Sequence, residues 1–558
     1  MCNERHRMMI KELSPKDAQA ELPLDELILK DQPETEDSVS MDVVFVGGGP
    51  AGLSGAIELA RLVKDFNSNG GNLGEIEIGV LEKAETLGGH NLSGAVVNPV
   101  ALRELFPDIA LSELPLRKAV AGDDVYFLTE KSKIKLPTPP TMHNEGNYVA
   151  SICEIVRFLG EKAEELGINV FTSFPADSLL TENNQVVGIR TTPAGLDRQG
   201  QASEDSLPAT DVRAKVTVLT EGTRGTLTQA YLQWQKITSN QPQLFALGVK
   251  ELWRVKNPPK NVTHTMGWPL SSDCFGGSFF YPMGDDMVSL GLVVGLDYRE
   301  HNVDVHYLLQ KLKTHPLIAT HLEGGELVEW GAKTIPEGGY HAIPEKLSGD
   351  GILLAGDCVG LVNVPALKGI HYAMMSGIYA ARAAFEALKK GSHTSHDLGS
   401  YEVAIRNSFI FKDLKKVRNM RQAFKDGFWG GSMKAALMTA TGGLFPGDGD
   451  IVESDAEESK IYRPNNRCEK VGISKVDAVY LSGNKTRDDI PQHLTVGEDI
   501  SPEMAEFYEH LCPAGVYERK GDKLIVNAPN CIDCKATDVV GPRWRPREGG
   551  SGPNYQNM

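Results

Sequence analysis

The sequence is short of several things, and each shortage removes a class of function. No run of about eighteen apolar residues occurs in the 558, which excludes an ordinary membrane-spanning helix. Positive charge is scarce: 57 Lys and Arg stand against 74 Asp and Glu, a formal net charge of −17. Binding to phosphate backbones needs a concentrated basic surface, so no nucleic acid is expected as a partner. Eight cysteines are too few for a disulfide scaffold at this length. Cys2, Cys153, Cys274, Cys358 and Cys468 are scattered, whereas Cys512, Cys531 and Cys534 lie close together. The first forty residues show neither the apolar core of a secretory signal nor the arginine-rich, acid-poor character of a mitochondrial presequence. Their acids, from Glu21 to Asp37, make residues 1–40 read as a frayed or loosely docked extension.

What is present is an ordinary globular composition, 41% hydrophobic and 23% charged, in a chain long enough for several cores. Asp42-Val-Val-Phe-Val46 reads as a buried parallel strand. It runs into Gly47-Gly-Gly-Pro-Ala-Gly52, and Leu53–Leu62 continues with helical composition. Gly47, Gly49 and Gly52 thus give the G-x-G-x-x-G spacing in a strand–turn–helix setting, with Ala51 in the same loop. In such a loop the first glycine permits the turn and the second admits a pyrophosphate. The third lets helix and strand pack closely, and the helix N-terminus favours the anion.

An acid should end the second strand and hold the adenosine ribose. Glu82 fills that place after Ile76–Leu81, delayed by the Asn67–Gly74 loop. Lys83 follows, and Gly88-Gly89 would let the backbone pass a flavin pyrophosphate. Further on, Gly356-Asp357 follows the strand-like Gly351–Ala355 and precedes a helix, as in the second FAD fingerprint, where the aspartate binds the ribityl chain. Together these predict FAD rather than NAD. The cofactor-binding candidates are Gly47, Gly49, Ala51, Gly52, Glu82, Lys83, Gly89, Gly356, Asp357 and Asn363.

The expected fold class is α/β, with a Rossmann-like FAD-binding domain. Residues 41–240 form its first part, and an antiparallel sheet is inserted at 241–345. The chain returns to the FAD domain, with a helical region, at 346–450. A Gly/Asp-rich break at Gly447–Asp450 precedes a compact unit at 451–558.

Cys531-x-x-Cys534 with Cys512 upstream suggests thiolates converging on one centre, although the spacing alone also fits zinc, a redox pair or an accident of sequence. The segment Cys512-Pro-Ala-Gly-Val-Tyr-Glu518 is more distinctive. With Gly89-His-Asn-Leu-Ser-Gly-Ala95, Gly276-Gly-Ser-Phe279, Leu481-Ser-Gly483 and the ending Glu548–Met558, it resembles electron-transfer flavoprotein–ubiquinone oxidoreductase. The resemblance runs from about Asp42 to the end. It implies an FAD domain, a quinone-binding domain and a small C-terminal ferredoxin-like domain with a 4Fe–4S cluster. It further implies transfer of electrons from reduced electron-transfer flavoprotein to ubiquinone by a peripheral, monotopic membrane protein. In a bacterium that would be the cytoplasmic face of the inner membrane. Carried over residue by residue, Gly276 and Gly277 line the quinone site, and Cys512, Cys531 and Cys534 are metal ligands. Tyr517 matches a tyrosine near the cluster. No side chain is required as a nucleophile, so no catalytic residue is named, and His90, His264 and His371 read as structural.

The sequence departs from the family in three places. Thr537 stands where the third cysteine of a C-x-x-C-x-x-C run belongs. An alcohol is a harder and less readily ionised ligand than a thiol. The cluster then binds with a substitute such as Asp538, persists as a 3Fe–4S form, or is lost; Cys468 is a remote fourth thiol. Gly356-Asp357-Cys358 replaces the family's common Gly-Cys-Ser and is closer to geranylgeranyl reductases. Apolar segments for entering a bilayer look short. Phe428-Trp429, Ala435–Met438 and Leu444-Phe445 form either an interfacial patch or a buried helix. Lys415, Arg418 and Arg421 nearby meet head groups or form a solvated face. Two alternatives therefore stand beside the quinone oxidoreductase: a cluster-free FAD reductase or monooxygenase of a lipid-like substrate, and a non-catalytic partner-binding paralogue.

Overall fold

In this computed structural model, residues 11–284, 286–444, 451–458, 460–462 and 470–558 are described. Cys468, Phe445 and the Gly447–Asp450 break lie outside them.

Strand β1 (Val39–Val46) has Val43, Val44 and Phe45 fully buried, because both faces of a parallel strand are covered. It leads into helix α1 (Pro50–Ser68) and lies parallel to β2 (Ile78–Glu82), as a βαβ unit requires. Helix α2 (Ile152–Glu165) is capped by Ser151, whose hydroxyl accepts from Glu154 N, and buries Ile155, Val156 and Leu159. Strand β3 (Asp211–Leu219) lies parallel to β1 on its other side. With antiparallel strands at Ala176–Glu182 and Gln185–Thr191, these belong to a nine-stranded sheet.

The chain then builds a second sheet of seven strands. Its members include β4 (Phe245–Arg254), β5 (Val262–Gly267), β6 (Gly276–Pro282), β7 (Met287–Gly295) and β8 (Glu326–Pro336), all joined antiparallel. Asp123–Leu128, from much earlier in the chain, pairs parallel with β5 and extends this sheet. Strand β9 (Ile352–Leu354) returns to the first sheet beside β3 and feeds helix α3 (Ile370–Lys390). Helices α1 and α3 pack with their backbones nearly touching: a Cβ on Gly377 would lie 2.0 Å from Ala51 O. Helix α4 (Phe428–Ala440) follows.

The C-terminal unit holds α5 (Pro502–Leu511), a hairpin at 517–526 and the short helix α6 (Ala536–Val540). It shares a hydrophobic core with the second sheet through Trp330, Tyr508, Cys512 and Val516. Its last residue, Met558, is buried, and the carbonyl accepts from Ile152 N and Ser151 Oγ at 3.0 Å. The tail thereby locks the unit onto α2.

The N-terminal segment, read from sequence as frayed or loosely docked, is docked over residues 24–30: Leu27 is fully buried, and Ile28–Lys30 pairs parallel with Ala176–Glu182. The physical reason is the sheet edge, whose unpaired backbone groups need a partner. Acidic composition does not reveal that need.

Candidate functional site

The glycines of the β1–α1 loop are set by contacts with neighbouring backbone. Gly47 has φ +118, and a Cβ there would lie 2.4 Å from Thr220 O. At Gly52 a Cβ would lie 2.0 Å from Gly47 O. At Gly49 it would meet only Asn91 Nδ2, at 3.5 Å, so this part of the loop is open. That open stretch stands at the N-terminus of a 19-residue helix, where backbone N–H groups favour an anion. Glu82 braces the loop: Oε2 accepts from Gly48 N at 3.0 Å and Oε1 from Ala84 N at 2.8 Å.

A cavity of about 1120 Å³ opens beside this loop, and Gly47, Gly49, Ala51, Glu82, Lys83, Gly356 and Asp357 are on its wall. Asp357 has no side-chain hydrogen bond to the described residues, and burial pushes its carboxyl up to about 6. An unpartnered acid facing a cavity is what a polyhydroxyl chain would satisfy. These features fit FAD. Gly89 and Asn363 are not on this wall: Gly89 O accepts from Tyr555 N at 2.9 Å, and Asn363 Oδ1 accepts from Ala366 N at 3.1 Å. They organise the tail and the 363–368 loop.

Gly276 and Gly277 lie further along the same wall. Gly276 has φ +152 and would bring a Cβ within 2.2 Å of Val293 O; Gly277 would bring one within 2.6 Å of Thr265 O. Close strand approach therefore demands both glycines, and both leave backbone facing the cavity. Beside them Arg421 stacks over Phe275 at 4.1 Å and pairs with Glu337 (2.8 Å) and Asp297 (2.9 Å). Arg421 is buried, so it is neither a head-group contact nor part of a solvated face. The sequence offers no signal for this, because both carboxylates come from distant elements.

Lys535 and Trp544 of the C-terminal unit also line the cavity. The adjoining Cys534 is tied to β8, its carbonyl accepting from Thr334 N at 2.9 Å. Cys512, Cys531 and Cys534 are all buried, and burial raises each thiol, that of Cys531 to about 12. Burial outweighs the cations that act on them, Lys475 at Cys512, Arg547 at Cys531 and Lys333 at Cys534, so these thiols suit metal ligands better than free nucleophiles. Between the two later cysteines sits Asp533, which sequence reasoning missed. Its carboxylate accepts from Lys83 Nζ (2.5 Å), Arg547 Nη2 (3.0 Å) and Trp544 Nε1 (3.0 Å). The ammonium of Lys83, expected at the cofactor, is thereby engaged across the domain boundary.

Comparison with known proteins agrees with this arrangement. A model described as ETF-QO, ubiquinone-binding, matches residues 245–335. One described as electron transfer flavoprotein-ubiquinone oxidoreductase, 4Fe-4S, matches residues 469–556. The chain is 36% identical to the mitochondrial electron transfer flavoprotein-ubiquinone oxidoreductase of Oryza sativa subsp. japonica, covering 94% of each chain. It is 37% identical to the Homo sapiens protein of that name, over 93% of this chain and 89% of that one. The chain belongs to the electron-transfer flavoprotein–ubiquinone oxidoreductases. Among solved structures it is similar to a geranylgeranyl bacteriochlorophyll reductase-like protein from Thermoplasma acidophilum. The TM-score is 0.55 at 19% identity, covering 74% of this chain and 93% of that one, a likeness of fold alone.

Two cavity histidines give this oxidoreductase an acid-sensitive core. Burial first and Lys368 second push His264 down to about 4 and His371 to about 3. Both rings stay neutral when folded but take up protons when unfolded below about 6.5, so stability falls with pH in that range. The melting midpoint is expected to drop between about pH 6.5 and 4. His371→Gln should flatten that slope in thermal melts across the window.

Proposed function

We propose that this chain carries electrons from reduced electron-transfer flavoprotein to ubiquinone across the cavity between its two sheets. The observation that carries the reading is the shared cavity. The glycine loop and Asp357, the Gly276-Gly277 strand and the residues adjoining Cys534 border one space. Bound FAD supplies a centre that accepts electrons singly and delivers them in pairs, and a bound iron–sulfur cluster supplies a one-electron centre.

The chain's own residues position these groups. Gly49 and the start of α1 hold the pyrophosphate, Glu82 the adenosine ribose, and Asp357 the ribityl hydroxyls. Cys512, Cys531 and Cys534 hold the cluster, and the backbone of Gly276 and Gly277 admits a flat quinone ring. Quinone reduction consumes two protons. Tyr281 Oη and His264 Nε2, 2.5 Å apart on the cavity wall, hold one between them. Mixing a fully flavinated preparation with reduced electron-transfer flavoprotein and a short-chain ubiquinone should give quinol. Absence of turnover would overturn the reading.

The quinone's chain needs a lipid route, and the cavity mouth offers one. Trp429, Met433 and Leu437 recur every four residues on α4 and are 68%, 67% and 47% exposed. Trp429 and the exposed Ile134 and Leu367 lie on the cavity wall. No helix among the described residues is long and apolar enough to cross a membrane. We assign this face to a monotopic seat on the bilayer surface. Replacing all three α4 residues by Glu removes about 3 kcal/mol of burial, about 100-fold in vesicle partitioning. Sedimentation with phospholipid vesicles reads that loss, while turnover with a water-soluble quinone should persist.

A further inference from the structure

A 4Fe–4S cluster takes four protein thiolates, one for each iron. This chain places three at the site, Cys512, Cys531 and Cys534, and the identity of the fourth donor decides how the cluster behaves. Cys153, Cys274 and Cys358 belong to α2, the loop before β6 and the Gly356 turn, and Cys2 and Cys468 lie outside the described residues.

Each substitute near the site fails on geometry. Asp538 is committed: its Oδ2 pairs with Arg224 Nε at 2.7 Å and its Oδ1 accepts from Trp544 N at 3.0 Å. Drawing it to iron would leave Arg224 as a half-buried charge without its partner. Asp533 already neutralises Lys83 and Arg547. His493 is buried and both its ring nitrogens lack partners, but its donor atom lies within 4.8 Å of the Cys531 sulfur and an Asp533 oxygen. A donor that close to Cys531 competes for the same iron instead of reaching another. Among the described residues what remains is Thr537, buried on the first turn of α6 beside Tyr517, whose other neighbours include Cys512 and Cys531. A buried threonine hydroxyl does not ionise as a thiol does, and it is a hard donor against a soft site.

We propose that the cluster is held by three thiolates, and that the iron facing Thr537 has no thiolate and is exchangeable. This inference rests on the cluster reading above. A one-electron oxidant such as ferricyanide then releases that iron. The 4Fe–4S(2+) form gives 3Fe–4S(1+), one Fe(2+) and one electron, and the electron reduces ferricyanide to ferrocyanide. Returning Fe(2+) with a reductant reverses the step.

The test compares wild-type protein with Thr537→Cys, both purified without oxygen. Iron and acid-labile sulfide are counted, and low-temperature EPR is recorded before and after stoichiometric ferricyanide. Wild type is expected to lose one iron per chain and gain the signal of an oxidised 3Fe–4S cluster, reversed by Fe(2+) and reductant. Thr537→Cys should keep its iron and stay silent at the same oxidant level. Equal retention of iron in both proteins would overturn the three-thiolate assignment alone. Iron in Thr537→Cys but none in wild type would overturn it too, since three thiolates would then be insufficient. No iron or sulfide in either would overturn the cluster reading itself.

Discussion

Gly52→Ala is expected to yield a folded chain that purifies without flavin. The new Cβ would sit 2.0 Å from Gly47 O and 2.8 Å from Thr220 Oγ1, so the start of α1 must swing away from β1. The helix N-terminus then no longer points its N–H groups at the pyrophosphate. A misplacement costing about 3 kcal/mol weakens binding about 100-fold, enough to strip the cofactor on a desalting column. Flavin absorbance after desalting reads the result, and circular dichroism shows whether the chain still folds; full occupancy would refute the account. Gly49→Ala separates packing from binding. Its Cβ would meet only Asn91 Nδ2 at 3.5 Å, so the chain should keep its stability and still lose flavin.

Such a glycine loop is legible in a sequence because its constraints are local. Strand, turn and helix follow one another within about thirty residues, and each glycine answers to the next element. Glu82 is readable for the same reason, lying at the end of the second strand. Gly276 and Gly277 are different, because the carbonyls that forbid a Cβ there belong to Val293 and Thr265 on neighbouring strands. Their pattern alone reads as a bulge, and only the family resemblance gave them a role. Arg421 looked like a surface cation because its region has basic spacing, while Glu337 and Asp297, which bury it, come from far upstream. The docking of Ile28–Lys30 answers to a sheet edge that no local pattern announces.

The same distinction explains how the redox centres are brought together. Asp533 looks like a spacer between two cysteines, yet it joins groups 450 residues apart through Lys83. Lys333 Nζ donates to its backbone carbonyl at 3.0 Å, adding a strand of the second sheet to the junction. The position thus touches the FAD domain, the inserted sheet and the cluster loop at once.

Asp533→Ala should destabilise the protein by about 3–5 kcal/mol, the usual consequence of removing one partner from a buried ion pair. Burial alone would raise this carboxyl, but Arg547 and then Lys83 outweigh it and hold it well below the usual range. The substitution leaves Arg547, 3% exposed, and the Lys83 ammonium without their shared counter-charge. Trp544 Nε1 also loses its acceptor. Urea denaturation of the flavin-bound protein measures the loss, and an unchanged midpoint would show that the cluster loop is held by other contacts. A pair of substitutions isolates the charge term. Asp533→Leu with Arg547→Met removes both members and should cost less than the sum of the single changes, because no arginine remains buried and unpaired. If the double variant is instead additive, the junction is held by packing around Trp544 rather than by charge.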